Sequence, residues 1–64
     1  MSTAHLIATL RVEPTANTTG LTIQVYEVPA EERFCVVAGE ESYDQPNLGL
    51  ALALAAEFAE QRLT

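Results

Sequence analysis

The sequence predicts a small α+β domain: a three-stranded antiparallel meander with one C-terminal helix packed on one face, in the order β-β-β-α, assembled as a dimer. Three observations lead there. Two stretches, His5 to Val12 and Leu21 to Val28, alternate with the two-residue period of a sheet. A short connection, Pro29-Ala30-Glu31-Glu32, leads into a third apolar run. The last segment is dense in Ala and Leu and carries no Gly or Pro after Gly49.

The first strand is His5 to Val12. Leu6, Ala8, Leu10 and Val12 alternate with Ile7, Thr9 and Arg11. Glu13-Pro14 ends it, because Pro has no N–H to donate to a ladder. Thr15 to Gly20 is polar and rich in Thr and Asn, the composition of a loop. The second strand is Leu21 to Val28, with Leu21, Ile23 and Val25 on one face and Thr22, Gln24 and Tyr26 on the other. The short connection after it favours a hairpin. The third strand is Arg33 to Ala38, with Phe34, Val36 and Ala38 sharing a face, and Gly39 breaks it.

The helix opens near Asp44-Gln45-Pro46-Asn47, where Pro suits the first turn and Asn or Asp accepts from free backbone N–H groups. Leu48 to Leu63 is rich in strong helix formers. At about 100° per residue, Leu48, Leu52, Ala55, Ala59 and Leu63 line one face, which is expected to cover the Leu6, Ile23 and Phe34 side of the sheet. There is no internal repeat, and residues 1–64 read as a single domain.

Composition bounds the function. The 64 residues hold nine Asp or Glu, three Arg and no Lys, for a net charge of -6. A domain of about 60 residues buries only about 60% of the surface its unfolded chain exposes. One cysteine, Cys35, excludes an internal disulfide, and one histidine, His5, excludes a Cys/His zinc site. Oligomerisation or docking on a partner is the remaining route to stability. Three Arg against nine acids argue against direct binding to nucleic acid or to anionic membrane. No stretch approaches the roughly 20 apolar residues of a membrane span. The N-terminal Met-Ser-Thr-Ala-His lacks the charged region of a signal peptide, and with a free thiol the expected compartment is the cytoplasm.

Apolar surface is left over. Leu50 and Leu54 project from the helix opposite Leu48 and Leu52, and no charged residue lies between Asp44 and Glu57. The outer sheet face carries Ile7, Tyr26, Cys35 and Val37, diluted by Thr9, Thr22 and Gln24. One reading is an oligomer interface formed by Leu50, Leu54, Ile7, Tyr26 and Val37, for which a two-fold homodimer is the commonest solution. The other is the ordinary scatter of surface hydrophobes.

No constellation of catalytic groups emerges, so no enzymatic activity, cofactor or metal is expected. His5 has no acid or Cys beside it, and a general base needs a positioned partner. Cys35 has Arg33 two residues away on the same face, a weak means of lowering a thiol pKa; packing as a small hydrophobe accounts for it more simply. Gly39 to Asp44 lacks the alternating carboxylates of a calcium loop. Asn17-Thr18-Thr19 matches a glycosylation sequon, without meaning in a cytoplasmic chain.

The carboxylates matter as a set. In a three-stranded meander, Glu13, Glu40, Glu41 and Asp44 gather at one end of the sheet, with Arg11 nearby. Glu27, Glu31, Glu32, Glu57 and Glu60 gather at the other, with Arg33 and Arg62. Acidic poles around an apolar middle suit a basic protein partner: charge steers the encounter and apolar contact holds it. Solubility is the simpler account of the same charges.

No family is carried by specific residues. The element order is similar to that of the arm-binding domain of phage-type integrases, whose basic sheet face Thr22, Gln24 and Tyr26 do not supply. It is also similar to HicB-like antitoxins, where a meander leads into an Ala-rich helix; here Ser42-Tyr43-Asp44-Gln45-Pro46 stands where a proline-rich turn belongs. Small acidic phage inhibitors, anti-CRISPR proteins among them, share size and charge. The expectation is a non-enzymatic interaction protein that regulates or inhibits a basic, nucleic-acid-handling protein. The alternative is an antitoxin-like oligomerisation module that uses its apolar surface.

Overall fold

The computed structural model describes residues 3–63, apart from the side chain of Leu63. The expected place of Leu63 on the core face, and the reading of Met1-Ser2, lie outside the described residues. The elements are β1 (His5–Val12), β2 (Leu21–Val28), β3 (Arg33–Ala38), β4 (Glu41–Gln45) and α1 (Leu48–Leu63), with a short 3-10 turn at Pro29–Glu31. The strands form one antiparallel sheet in the order β1-β2-β3-β4. The sheet therefore has four strands, not three. Glu41–Gln45, which the sequence places between the third strand and the helix, is an edge strand. Its apolar signal is a single residue, Tyr43, because a solvent-facing edge strand favours charged and polar side chains.

The turns follow from local chemistry. Gly39 sits at φ 64 between the paired residues Ala38 and Glu41, so the β3–β4 hairpin has a two-residue turn with glycine where the backbone is left-handed. Glu32 takes the same left-handed region, at φ 52, to close the β2–β3 connection, and its N–H donates to the Pro29 carbonyl at 3.2 Å. In the β1–β2 loop the Thr15 hydroxyl accepts from the N–H groups of Asn17 and Thr18. Gly20 is needed for space: a Cβ there would lie 2.9 Å from the Val12 carbonyl oxygen.

The ladder between β1 and β2 is interrupted. Val12 to Ala8 pair in step with Leu21 to Val25, but Leu6 pairs with Tyr26, which leaves Ile7 as the extra residue of a bulge. A one-residue slip moves every side chain beyond it to the other face. Leu6 accordingly shares the outer face with Tyr26, and the expected Leu6, Ile23, Phe34 grouping is corrected.

The helix begins where expected. The Asn47 side chain accepts from the Leu50 N–H at 2.9 Å, and the Asn47 carbonyl accepts the first helical bond from Ala51 at 3.1 Å. Its buried stripe differs from the expected one. Ala51 and Ala55 are fully buried against Ile23, Val25, Val36 and Ala38, with Leu54, Phe58 and Ala59 packed around them. Leu48 and Leu52 are each left 41% exposed. Ile23, Val25 and Val36 already fill the middle layer, so small alanines face them and let the helix sit close; the bulkier leucines straddle the stripe.

Candidate functional site

The fourth strand rearranges the charged groups. It carries the chain back along the sheet, so α1 starts beside the Pro29–Glu31 turn and ends beside the β1–β2 loop. Glu13, Glu40 and Glu41 remain together at the Gly39 end and are all exposed. Glu57 and Glu60 are carried toward that same end, rather than the opposite one. Asp44 is separated from the group: it pairs with Cys35 on the outer face, toward the other end of β4.

There Asp44 engages Arg33, whose Nη1 donates to its carboxylate, while Arg33 Nε donates to Glu31 at 3.0 Å. The hydrogen bond to Glu31, with the nearby negative charge of Asp44, holds the guanidinium pKa above its ordinary value. Arg11 lies 3.4 Å from Glu13, but both side chains are about 70% exposed, at 69% and 71%, so the pair contributes little to stability. The Glu41 carboxylate accepts from the Tyr43 hydroxyl at 3.0 Å, and this bond raises the Tyr43 pKa. Two of the arginines are thus engaged by neighbouring carboxylates.

Next to the Gly39 end, the β1–β2 loop and the last turns of α1 enclose an open cleft of about 510 Å³. Thr18, Thr19, Glu41, Phe58 and Arg62 are among its walls. Its lining mixes hydroxyls, one carboxylate, one guanidinium and one ring. No group of three His, Cys, Asp or Glu among the described residues is placed to hold a metal ion. None of the described helices is long and apolar enough to cross a membrane.

The apolar residues named for an interface are divided by the fold. Ile7 is 43% exposed on β1 and Leu50 is 48% exposed on α1. Tyr26 and Val37 are half-buried on the outer face, and Leu54 is half-buried against the core. Cys35 is a free, half-buried thiol beside Tyr26 in the ladder. His5 is exposed at the start of β1, opposite Glu27.

Leu6, Leu48 and Leu52, which the sequence assigns to the buried face, and Tyr43, to which it assigns no place in the sheet, are each between 39 and 50% exposed. Leu50, Leu54 and Phe58 lie one turn apart on one flank of α1. Phe58 stacks against Tyr43 of β4, so this flank faces the β4 side. Leu48 and Leu52 lie across the alanine stripe, on the β1 side. Gly39-Glu40, a glycine opening a two-residue turn, is the one sign of a hairpin there; with Tyr43 the single apolar residue of β4, no alternation supports it, and a bulge leaves no mark at Leu6.

No family model matches the chain, and no curated protein or solved structure matches it either.

Proposed function

We propose that this chain is a small acidic interaction protein that docks on a basic surface of another protein, of the kind that grips nucleic acid, and regulates or inhibits it by covering that surface. The observation that supports this reading is the gathering of Glu13, Glu40, Glu41, Glu57 and Glu60 toward one end, in a chain of net charge -6. Exposed carboxylates gathered toward one end present concentrated negative charge to a basic surface. Such a surface raises the encounter rate with a basic partner and makes it salt-dependent. The role is non-enzymatic, needs no cofactor, and places the protein in the cytoplasm with its partner; a phage-type inhibitor is one form it takes.

The test is direct. A partner captured from the source cell is purified, and its association rate with the chain is measured across a salt series. A steep fall with salt supports the reading; a flat profile overturns it.

A second reading rests on a different observation. Leu48, Leu50 and Leu52 are each more than 40% exposed, at 41, 48 and 41%. Three exposed leucines in five residues support self-association, with the charges serving solubility. In this antitoxin-like reading the chain is a homodimer and its partner docks on apolar surface, so binding persists at high salt.

A further inference from the structure

The two edges of the sheet are unlike. β4 is five residues long and carries Glu41 and Asp44, the usual guards against strand pairing. β1 is eight residues long, His-Leu-Ile-Ala-Thr-Leu-Arg-Val, with no acid and no Pro; its guards are Arg11 and the bulge at Ile7, which leaves Ala8 to Val12 in regular register. Its residues Leu6 and Ile7 are 50% and 43% exposed, and Leu48 and Leu52 overhang it from the helix at 41% each.

The free hydrogen-bonding groups of β1 follow from the ladder. A two-residue hairpin closes on a hydrogen-bonded pair, here Ala38 and Glu41. Antiparallel pairs alternate. Ala38 and Val36 thus bond toward β4, while Val37 and Cys35 bond toward β2. Gln24, the partner of Val37, bonds toward β3, and Ile23 bonds toward β1. Leu10, paired with Ile23, spends its groups on β2. Thr9 and Arg11 are left with backbone N–H and C=O pointing outward.

From this we propose that two copies of the chain pair β1 against β1, antiparallel about a two-fold axis, so that the two sheets become one continuous sheet. The inference rests on the dimer reading above and names its surface. A second copy fits this edge in charge, and does not fit β4, where Glu41 and Asp44 would meet their own copies. Each copy carries net charge -6, and β1 is the strand where two copies meet without bringing carboxylates together, since its ionisable residues are His5 and Arg11. A two-fold also places the Leu48 and Leu52 flank of each helix on the same side of the joined sheet, so both apolar overhangs cover the seam.

The experiment is sedimentation velocity of the full chain over a dilution series reaching on the order of 100 µM, with circular dichroism to confirm folding. Two variants address the edge. Thr9→Pro removes an outward N–H without removing an internal bond, and Ile7→Lys places a charge on the bulge. Leu50→Glu tests the helix flank away from β1 as the rival interface, and Ser42→Lys alters the exposed β4 edge as a control. The expected result is a wild-type dimer whose dissociation constant rises at least about tenfold in each β1 variant and stays within about threefold in the other two. A wild-type monomer overturns both this inference and the dimer reading. A dimer that resists both β1 variants but dissociates with Leu50→Glu overturns the inference alone, and moves the interface to the helix. A dimer unchanged by all four variants also overturns it.

Discussion

Tyr43 of the edge strand and Phe58 of the helix stack with ring centroids 5.3 Å apart and planes tilted by 34°. This contact ties the most polar strand to the core, and it sits beside the cleft at the acidic end. Tyr43 pairs with the fully buried Val36, so the ring closes the β4 side of the inner layer. Phe58→Ala is expected to destabilise the fold by about 2–3 kcal/mol, less than for a fully buried ring because Phe58 is only half-buried. Tyr43→Ala should cost less, about 1–2 kcal/mol, chiefly the aromatic contact. Urea unfolding at equal slope measures both.

The helix start depends on one side chain. Asn47 satisfies the Leu50 N–H, and no acid lies in the first turn to share the work. Asn47→Ala is expected to cost about 1 kcal/mol, whereas Asn47→Asp should be neutral or slightly stabilising through the helix dipole. Thermal unfolding followed at 222 nm separates the two outcomes.

What was legible in the sequence was whatever rests on a repeated local pattern. Leu48–Leu63 emerged with its bounds because Pro46 and Asn47 mark a start and no later Gly or Pro interrupts it. β1, β2 and β3 emerged because alternation over six to eight residues is hard to produce otherwise. β4 did not, since Glu-Ser-Tyr-Asp-Gln offers one apolar residue and answers to pairing along the backbone. That omission reversed the helix direction, and with it the placing of Asp44, Glu57 and Glu60. Leu6 was misplaced because a bulge is a property of the paired ladder, not of either strand alone. The buried stripe was displaced because hydrophobicity favours Leu over Ala, while the space above Ile23, Val25 and Val36 favours Ala51 and Ala55.

Glu32 is a charged residue in a left-handed backbone conformation, with φ 52 and ψ 42. A Cβ is strained there and glycine is not. Glu32→Gly is expected to stabilise the fold by about 0.5–1 kcal/mol, the strain relief being partly offset by the freer unfolded chain. Gly39→Ala, at φ 64, should destabilise by about 1–2 kcal/mol. Chemical denaturation of the pair checks the signs, which must be opposite.

The Tyr43 hydroxyl donates to Glu41, which favours its protonated form in the folded state. The folded pKa therefore lies above the unfolded one. The small stabilisation is present below the ordinary tyrosine range, near pH 10, and is lost as pH rises through the folded value. Absorbance titration at 295 nm is expected to show one tyrosine ionising later than a free phenol. Glu41→Ala should bring it back toward the ordinary range, and a titration unchanged by that substitution would contradict the assignment.

The acidic end gives the most exposed prediction. Glu13, Glu40 and Glu41 share it, while Asp44 is engaged by Arg33 elsewhere on the sheet. Carboxylates this exposed contribute little to stability, since water and salt screen them. Glu40→Gln and Glu41→Gln remove charge without removing volume, and Glu13→Gln releases only the exposed Arg11 contact. The triple variant is therefore expected to fold as well as wild type, with midpoints in urea that agree closely. Asp44→Asn serves as the counterpart, because it alters charge at the other end of β4 and loosens Arg33. If the acidic end steers a basic partner, the triple variant associates more slowly and its rate depends less steeply on salt, while Asp44→Asn keeps the wild-type slope. The dissociation rate should change less than the association rate in the triple variant, as befits screened charges at a rim rather than a buried anchor. If instead the triple variant binds with unchanged rate and salt slope, the acidic end is a solubility device. The exposed leucines of α1 then become the surface to substitute next.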